Sequence, residues 1–376
     1  MRIAESVRCL APYVPGEQPV SPDAVKLNTN ENPYTPSPRC AAVLASFDLE
    51  RLRRYPDPRF SALRCAIAKR CRVAPERVFV GNGSDEVLSL AARAFVEDGE
   101  SIASLDPSYS LYKTLAAIRD VAWAGLPAGL PGRAAAKRLA AALPPETSLF
   151  LWTNPNAPTG AFTEPETIAA FAKKFPGVVI IDEAYADFAR ANCLSLAAAP
   201  RNRNVIVMRT FSKAWALAGL RVGWCVGPKD LIDALYKVKD SYNVDAVAQA
   251  VALAAFGDRA WLRRTVAAVK RTRRRLSAEL SARGWDVPPS ESNFVFAKPP
   301  PPLVAAEVFA GLRERGVFVR YFPGPLTGDR LRITVGTEDQ VSKLLSALDN
   351  ISRTCASVRT RSKERRILAA PGRPAK

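Results

Sequence analysis

RTFSKAWALAGLR, residues 209–221, is the segment around which the rest of the chain is organised. It follows the apolar run 205–208, which is typical of a buried strand, and it is expected to lead from that strand through a turn into a helix. In α/β proteins, ligands bind at such strand ends. The segment therefore places a lysine, two hydroxyl groups and an arginine where a ligand is expected.

Lys213 is the candidate nucleophile of this segment. A desolvated pocket disfavours the ammonium form of a lysine, so the free amine needed to form an imine with a carbonyl becomes available near neutral pH. Arg221 could share an anion with Thr210 and Ser212. The segment alone is equally compatible with an ordinary Ser-Lys pair at the start of a helix.

Strand-like and helix-like patterns alternate along most of the chain. Apolar runs at 78–80, 149–152, 178–181 and 222–226 alternate with helical patterns at 134–142, 165–174 and 228–239. This alternation predicts an α/β fold with a mainly parallel sheet between helices. Shorter strands and helices beyond a long basic helix that ends near Gly284 predict a smaller α+β domain.

The predicted domain boundaries follow from these patterns. Residues 46–279 are expected to form the large domain, and the arm 1–45, rich in proline and asparagine, is expected to join residues 280–350 in the small one. Residues 351–376 are basic and poor in large apolar groups, so they are predicted to form a disordered tail. The opening residues lack a secretory signal and no stretch is long enough to span a bilayer, so the expected location is cytoplasmic.

Composition excludes several kinds of chemistry. The 376 residues include no histidine, which removes histidine bases, His-based triads and His metal ligands. The seven cysteines form no Cys-x-x-Cys pair, so no metal site and no disulfide framework is expected. The net charge of +18 raises the alternative of a nucleic-acid-binding protein. A solvated helix face is favoured for the arginine block at 263–275, because no aromatic residues interleave it.

Polar residues also follow three other predicted strands. A glycine-rich turn after 78–80 leads into a helix, where the N–H groups of Gly83, Ser84 and Asp85 could bind a phosphate; simple capping by Ser84 or Asp85 is the alternative. Asn156 follows the run 149–152. Asp182 and Tyr185 follow the run 178–181, where the carboxylate could keep a heterocyclic nitrogen protonated and the tyrosine could donate to a phenolate.

Together these residues resemble fold-type-I pyridoxal-phosphate aminotransferases, and among them the histidinol-phosphate group. The resemblance extends from about residue 10 to residue 337. It rests on the motifs APYVPG (11–16), LNTNENP (27–33), YPDP (55–58), GNGSDE (81–86), PNAPTG (155–160), DEAY (182–185), SK (212–213) with Arg221, and RITVG (332–336). It implies a large domain with a seven-stranded sheet. One departure is Ala157, where many relatives carry a second asparagine.

The resemblance implies roles around a pyridoxal 5′-phosphate cofactor. Lys213 would bind the cofactor covalently and move a proton, while Asp182 would pair with its ring nitrogen. Asn156 and Tyr185 would hold its 3′ oxygen. The cofactor phosphate would be bound by Gly83, Ser84, Asp85, Thr210, Ser212 and Arg221. Tyr109 would stack on the ring, with a core tyrosine as the equal alternative, and Tyr55 would reach the phosphate of a neighbouring subunit, which implies a homodimer.

On the substrate side the resemblance points to Arg332, Arg320, Tyr13 and Asn30. A surface charge and a turn residue are the competing interpretations of Arg320 and Asn30. The implied reaction is transamination between histidinol phosphate and 2-oxoglutarate, giving imidazole acetol phosphate and glutamate, a step of histidine biosynthesis. The alternatives are an aromatic or other amino-acid aminotransferase and a decarboxylase of the threonine-phosphate type.

Overall fold

The computed structural model of the chain describes residue 3 and residues 5–10, 16–128 and 132–368. Its strands, in chain order, are β1 (Val25–Lys26), β2 (Val78–Gly81), β3 (Ser101–Asp106), β4 (Ala122–Pro127), β5 (Thr147–Thr153), β6 (Val178–Asp182), β7 (Val205–Thr210), β8 (Gly223–Val226), β9 (Phe294–Ala297), β10 (Val317–Phe318), β11 (Arg320–Tyr321) and β12 (Leu331–Thr334).

The helices accompany these strands along the chain. They are α1 (Glu5–Arg8), α2 (Pro38–Ala45), α3 (Ser61–Cys71), α4 (Ser84–Phe95), α5 (Leu111–Arg119), α6 (Gly132–Ala141), α7 (Pro165–Ala172), α8 (Leu194–Ala198), α9 (Lys229–Val238), α10 (Ala246–Gly257), α11 (Arg259–Ala282), α12 (Ala305–Glu314) and α13 (Glu338–Leu368). Among the residues that the structure describes, no helix combines the length and apolar character needed to cross a bilayer.

A seven-stranded sheet in the order β2-β8-β7-β6-β5-β3-β4 forms the centre of the fold. β8 runs antiparallel to both of its neighbours, and the other pairs are parallel. Strands β2, β7 and β8 are almost wholly buried because helices cover both faces, which explains their continuous apolar sequences. The predicted α/β class with a mainly parallel sheet is confirmed.

The register of the sheet brings the polar strand ends together. Thr153 at the end of β5 pairs with Asp182 at the end of β6, and Asp182 pairs with Met208 of β7. Because the carboxyl ends of these parallel strands meet at one edge, the residues that follow them are neighbours in space. This edge is where the candidate site lies.

The amino-terminal arm and the carboxy-terminal third of the chain are joined by strand pairing. β1 runs parallel to β10, with Val25 opposite Val317. β9, β12 and β11 form a separate antiparallel sheet in the order β11-β12-β9. All strands of the seven-stranded sheet come from residues 78–226. The two-stranded sheet joins the two ends of the chain, whereas the three-stranded sheet comes from residues 294–334 alone.

One local expectation was wrong. No α-helix lies between β7 and β8: residues 211–216 form bends and turns, and a single 3-10 turn, Ala218–Leu220, precedes β8. The reason lies in the backbone, because Ala216 and Arg221 have φ values of 58° and 56°, which an α-helix excludes. Helix α13 begins at Glu338 and continues to Leu368, past residue 350, and residues 369–376 lie outside the described part.

Candidate functional site

A cavity of about 700 Å³ opens at the carboxyl edge of the seven-stranded sheet. Its walls come from the sheet edge, from the arm around Asn28 and Asn30, and from the small antiparallel sheet. Of the residues predicted for a cofactor, the cavity is lined by Ser84, Asp85, Tyr109, Asp182, Tyr185, Thr210, Ser212, Lys213 and Arg221. Of those predicted for a substrate, it is lined by Asn30, Arg320 and Arg332. Tyr13 lies outside the described residues.

Lys213 directs its amine into a desolvated part of the cavity. Its Nζ donates a hydrogen bond to the Thr29 carbonyl oxygen at 3.0 Å. Desolvation, together with the nearby Arg332 guanidinium, lowers the pKa of Lys213 to about 8, although Glu31 and Asp85 act in the opposite direction. At pH 7 the amine is unprotonated in roughly a tenth of the molecules, against about 0.03% for an ordinary lysine. The turn after β7 therefore presents an amine able to react with a carbonyl.

Asp182, the last residue of β6, has a buried carboxylate that accepts two hydrogen bonds. Its Oδ2 accepts a hydrogen bond from the Tyr112 hydroxyl at 2.9 Å, and its Oδ1 accepts one from the Ala184 backbone N–H at 3.1 Å. Burial raises the pKa of Asp182 to about 6, while the Tyr112 hydrogen bond works against that rise. A cationic ring nitrogen beside the carboxylate would offset the cost of burying its charge.

Tyr112 was missed by the sequence reasoning. It is buried on α5, and its hydroxyl also lies 2.6 Å from Thr153 Oγ1. The sequence carries one usable signal, because Tyr112 follows Tyr109 by only three residues; Tyr109 lies just before α5, and its carbonyl oxygen accepts a hydrogen bond from the Tyr112 N–H at 3.1 Å. Their rings meet edge to face, with centroids 5.7 Å apart. Without the strand register, Tyr112 cannot be told from an ordinary core aromatic residue.

Tyr185 and Asn156 flank the same region. The Tyr185 hydroxyl accepts a hydrogen bond from Asn30 Nδ2 at 3.0 Å, and its ring packs edge to face on Phe294. Asn156 lies in the turn after β5, where its Nδ2 donates to the Pro107 carbonyl oxygen at 3.3 Å. Its neighbours Ala157 and Pro158 form the cavity wall at that turn.

The start of α4 and the Arg221 side chain together form a cradle at the edge of the cavity. The N-cap of the helix is Gly83, which has no side chain to satisfy the first backbone N–H groups, so the alternative of capping by Ser84 or Asp85 does not hold. Gly83 has φ of 82°, and a Cβ there would lie 2.6 Å from Arg221 Nη2. The backbone and the guanidinium therefore approach one another only because residue 83 is glycine.

Arg221 closes the other side of this cradle. Its Nη1 lies 3.4 Å from Ser212 Oγ, which the Thr210 hydroxyl contacts at 3.0 Å, and its Nη2 lies 3.1 Å from Asp85 Oδ2. A helix N-terminus, two hydroxyl groups and a guanidinium match the hydrogen-bond acceptors of a phosphate.

Arg320 and Arg332 lie on the opposite wall. They are direct partners in the register of β11 and β12, so their side chains share one face of the sheet. Phe322 lies near both guanidinium groups, at 5.4 Å from Arg320 and 5.2 Å from Arg332. Arg332 also donates to the Asn28 carbonyl oxygen at 2.8 Å. Two like charges held opposite each other favour the binding of a doubly charged anion between them.

Tyr55 lies away from the cavity of its own chain. It is 80% exposed and stacks on Tyr242 with ring centroids 4.3 Å apart. Leu49 and Leu52, in the short 3-10 helix just before it, are also exposed. These four side chains give the surface a concentration of apolar groups.

Comparison with known proteins agrees with this geometry. Residues 22–348 match the model of the family described as aminotransferase class I and II. The chain is 46% identical over 347 residues to histidinol-phosphate aminotransferase 1 of Bradyrhizobium diazoefficiens, covering 91% of this chain and 97% of that protein. It is 43% identical over 349 residues to histidinol-phosphate aminotransferase of Acetobacter pasteurianus, covering 92% and 96%.

Solved structures show the same fold. The structure of histidinol-phosphate aminotransferase from Sinorhizobium meliloti in complex with pyridoxal-5′-phosphate superposes with a TM-score of 0.83 at 24% identity, covering 94% of this chain and 98% of that one. The aspartate aminotransferase of Thermotoga maritima superposes with a TM-score of 0.77 at 20% identity, covering 88% and 92%.

Proposed function

Because the chain belongs to the class I and II aminotransferases, we propose that it transfers an amino group between histidinol phosphate and 2-oxoglutarate with pyridoxal 5′-phosphate as its cofactor. The products are imidazole acetol phosphate and glutamate, and the pathway served is histidine biosynthesis. The observation that carries the proposal is the presence, in one cavity, of the Lys213 amine, the buried Asp182 carboxylate and the cradle at the start of α4.

The cavity residues fit this cofactor. When bound, the cofactor supplies an aldehyde that reacts with amines and a ring that withdraws electrons. The N–H groups at the start of α4, with Thr210, Ser212 and Arg221, would hold its phosphate. Asp182 would hold its ring nitrogen in the protonated form, while Asn156 and Tyr185 would donate to its ring oxygen. The ring of Tyr109, which lines the cavity, would cover one face.

Lys213 would carry the proton during turnover. Its Nζ would accept the proton that leaves the α carbon of the substrate and would release it later in the reaction, a task suited to an amine whose pKa is about 8. The proposed catalytic residues are Lys213, Asp182 and Tyr185.

The pair of arginines supports a phosphorylated amino donor. A phosphate dianion can accept hydrogen bonds from both Arg320 and Arg332, whereas a carboxylate balances only one of the two charges. The carboxylate of 2-oxoglutarate would use the same groups in the second half of the reaction. A phosphorylated amino donor therefore fits the cavity better than an aromatic amino acid. Threonine phosphate also carries a phosphate, so it is a rival substrate to be tested.

The test is a comparison of amino donors. Purified protein with cofactor and 2-oxoglutarate is expected to form glutamate faster from histidinol phosphate than from unphosphorylated histidinol or phenylalanine. Release of carbon dioxide from threonine phosphate is measured in parallel. Faster glutamate formation from phenylalanine, or carbon dioxide release in place of glutamate formation, would contradict the proposed substrate.

We also propose that the protein is a homodimer in which Tyr55 of each subunit contributes to the site of the other. The exposure of Tyr55, Tyr242, Leu49 and Leu52 supports this, because a monomer would leave that apolar area in water. Subunits carrying Lys213→Ala and subunits carrying Tyr55→Ala are purified separately, unfolded and refolded together. The mixture is expected to recover activity that neither parent has, because one of the two sites in each mixed dimer is intact. No recovery, with mixed dimers present, would contradict the shared site.

The division into residues 46–279, residues 1–45 with 280–350, and the tail 351–376 stays a proposal. It is supported by the confinement of the seven-stranded sheet to the first range. A cytoplasmic location is likewise proposed, and it is supported by the free thiols of Cys40, Cys71, Cys193 and Cys225, which are typical of a reducing compartment.

A further inference from the structure

Asn30 occupies an unusual position in the wall of the cavity. It is only 1% exposed, and its backbone has φ of 56°, a left-handed conformation that asparagine, aspartate and glycine tolerate better than other residues. The arm is held there by hydrogen bonds from two directions: Asn30 N–H donates to Thr334 Oγ1 at 3.0 Å, and Asn293 Nδ2 donates to the Asn30 carbonyl oxygen at 2.9 Å. The side chain is therefore fixed between β12 and the sheet edge.

The hydrogen bonds also fix which way the Asn30 amide faces. The Thr334 hydroxyl donates to Asn30 Oδ1 at 3.1 Å, so the amide oxygen lies on the side of β12. The amide nitrogen then faces Tyr185, with Nδ2 at 3.0 Å from the hydroxyl oxygen. Reversing the amide would turn its NH₂ group toward Thr334 and take away the acceptor of that hydroxyl.

A tyrosine hydroxyl has one hydrogen to donate. Since the Tyr185 oxygen accepts from Asn30, its hydrogen must point elsewhere, and the ring is kept in place by edge-to-face packing on Phe294 with centroids 5.1 Å apart. The Lys213 Nζ lies 6.0 Å from the centre of the same ring. Asn30 therefore does not use the hydrogen of this hydroxyl, and Tyr185 lines the same cavity as the Lys213 amine.

We propose that Asn30 is a positioning residue. Its amide N–H donates to the Tyr185 hydroxyl oxygen, so that the single hydrogen of this hydroxyl is left to be donated to the ring oxygen of the cofactor. This inference rests on the proposed function and revises the sequence-based expectation that Asn30 binds the substrate. It assigns Asn30 no contact with the substrate.

The hydrogen bond also changes the strength of Tyr185 as a donor. A hydroxyl that accepts one hydrogen bond donates the next more strongly. Burial raises the pKa of Tyr185, and the Asn30 hydrogen bond is among the interactions that act against this rise. A stronger donor favours the ionised form of the cofactor ring oxygen, so the bound cofactor loses its proton at lower pH.

The test is a spectral pH titration of protein loaded with pyridoxal 5′-phosphate, which needs no turnover. In Asn30→Asp the carboxylate can only accept, so it takes the hydrogen of Tyr185 away from the cofactor. The midpoint of the titration is expected to move to a pH about one unit higher. Asn30→Gly removes the side chain, keeps the backbone conformation, and is expected to move the midpoint in the same direction by less. An unchanged midpoint in both variants would overturn the proposal.

A second background separates positioning from a general structural role. In Tyr185→Phe the hydroxyl is gone, so adding Asn30→Gly is expected to cause no further movement of the midpoint. The same movement in both backgrounds would overturn the proposal, because the effect would then not pass through Tyr185. This comparison uses only neutral substitutions, so it remains decisive if the buried charge of Asn30→Asp prevents folding.

Asn293→Ala is the matched control. It removes the hydrogen bond to the Asn30 backbone but leaves the amide free to donate to Tyr185, so it is expected to lower thermal stability without moving the midpoint. The outcomes also separate the two proposals. Wild-type protein that develops no absorbance band with the cofactor would overturn the proposed function, whereas a wild-type band that titrates identically in the Asn30 variants would overturn only this inference.

Discussion

Replacing Tyr112 by phenylalanine tests the electrostatics of the site at a residue outside the sequence motifs. The substitution removes the hydrogen bond of 2.9 Å to Asp182 Oδ2 and leaves the ring in the core. A hydrogen bond to a charged group contributes about 1.5–3 kcal/mol, which corresponds to about one to two pH units. Starting from about 6, the pKa of Asp182 is expected to reach about 7.5 in Tyr112→Phe.

The consequence is a pH-dependent loss of cofactor affinity. At pH 7 about nine tenths of Asp182 is ionised in the wild type and about a quarter in the variant, so the dissociation constant for pyridoxal 5′-phosphate is expected to rise about fourfold. At pH 9 the carboxylate is ionised in both proteins, and the two affinities should converge. Equilibrium dialysis of cofactor-free protein between pH 6 and 9 measures this difference.

The matched control is Tyr236→Phe, which removes a hydroxyl bonded to the Val78 carbonyl oxygen outside the cavity wall. It is expected to leave the affinity unchanged at every pH. If Tyr112→Phe weakened binding by the same factor from pH 6 to 9, or did not weaken it at pH 7, the argument about Asp182 would be refuted.

Three further predictions follow from individual side chains. Gly83→Ala places a Cβ 2.6 Å from Arg221 Nη2 at a φ of 82°. The affinity for the cofactor should therefore fall, while the melting temperature falls little. An unchanged affinity in a dialysis assay would argue against a role of the cradle in binding. Burial raises the pKa of Asp182 from 3.8 to about 6. The buried carboxylate therefore lowers the free energy of unfolding as the pH rises from 3.8 through 6, and the loss reaches about 3 kcal/mol above that range. Cofactor-free Asp182→Asn should therefore be more stable than the wild type at pH 7.5 and about equally stable at pH 4 in urea unfolding, and an equal advantage at both pH values would contradict this sign. Arg320→Gln leaves a single guanidinium to bind a phosphate dianion. We expect kcat/KM for histidinol phosphate, divided by kcat/KM for phenylalanine, to drop roughly tenfold or more. A constant ratio would exclude Arg320 from phosphate recognition.

Much of the sheet could be predicted because its strands are continuous apolar runs. The runs that became β2, β5, β6 and β7 are buried on both faces. The parallel strands β5, β6 and β7 end in Thr153, Asp182 and Thr210, and the parallel register brings these ends together. β3 and β4 were missed. Two serines interrupt the apolar run of β3, and β4 is an edge strand with mostly exposed or half-buried residues.

The errors near the site have a common physical cause, which is the dominance of tertiary contacts over local pattern. The residues after β7 resemble a helix start, but Phe211 and Trp215 pack into the core instead and the chain turns through two left-handed positions. Tyr112 and Asn30 act on Asp182 and Tyr185 from 70 and 155 residues away. No local spacing carries such information.

The proposed chemistry depends most directly on Lys213 being the amine that binds the cofactor. Protein incubated with pyridoxal 5′-phosphate is reduced with borohydride, digested and analysed by peptide mass spectrometry, with Lys213→Ala treated in parallel. We expect the wild type to carry the reduced cofactor on the peptide containing Lys213, and the variant to carry none there or on any other lysine at comparable yield. Labelling spread over surface lysines, equal in the two proteins, would contradict it.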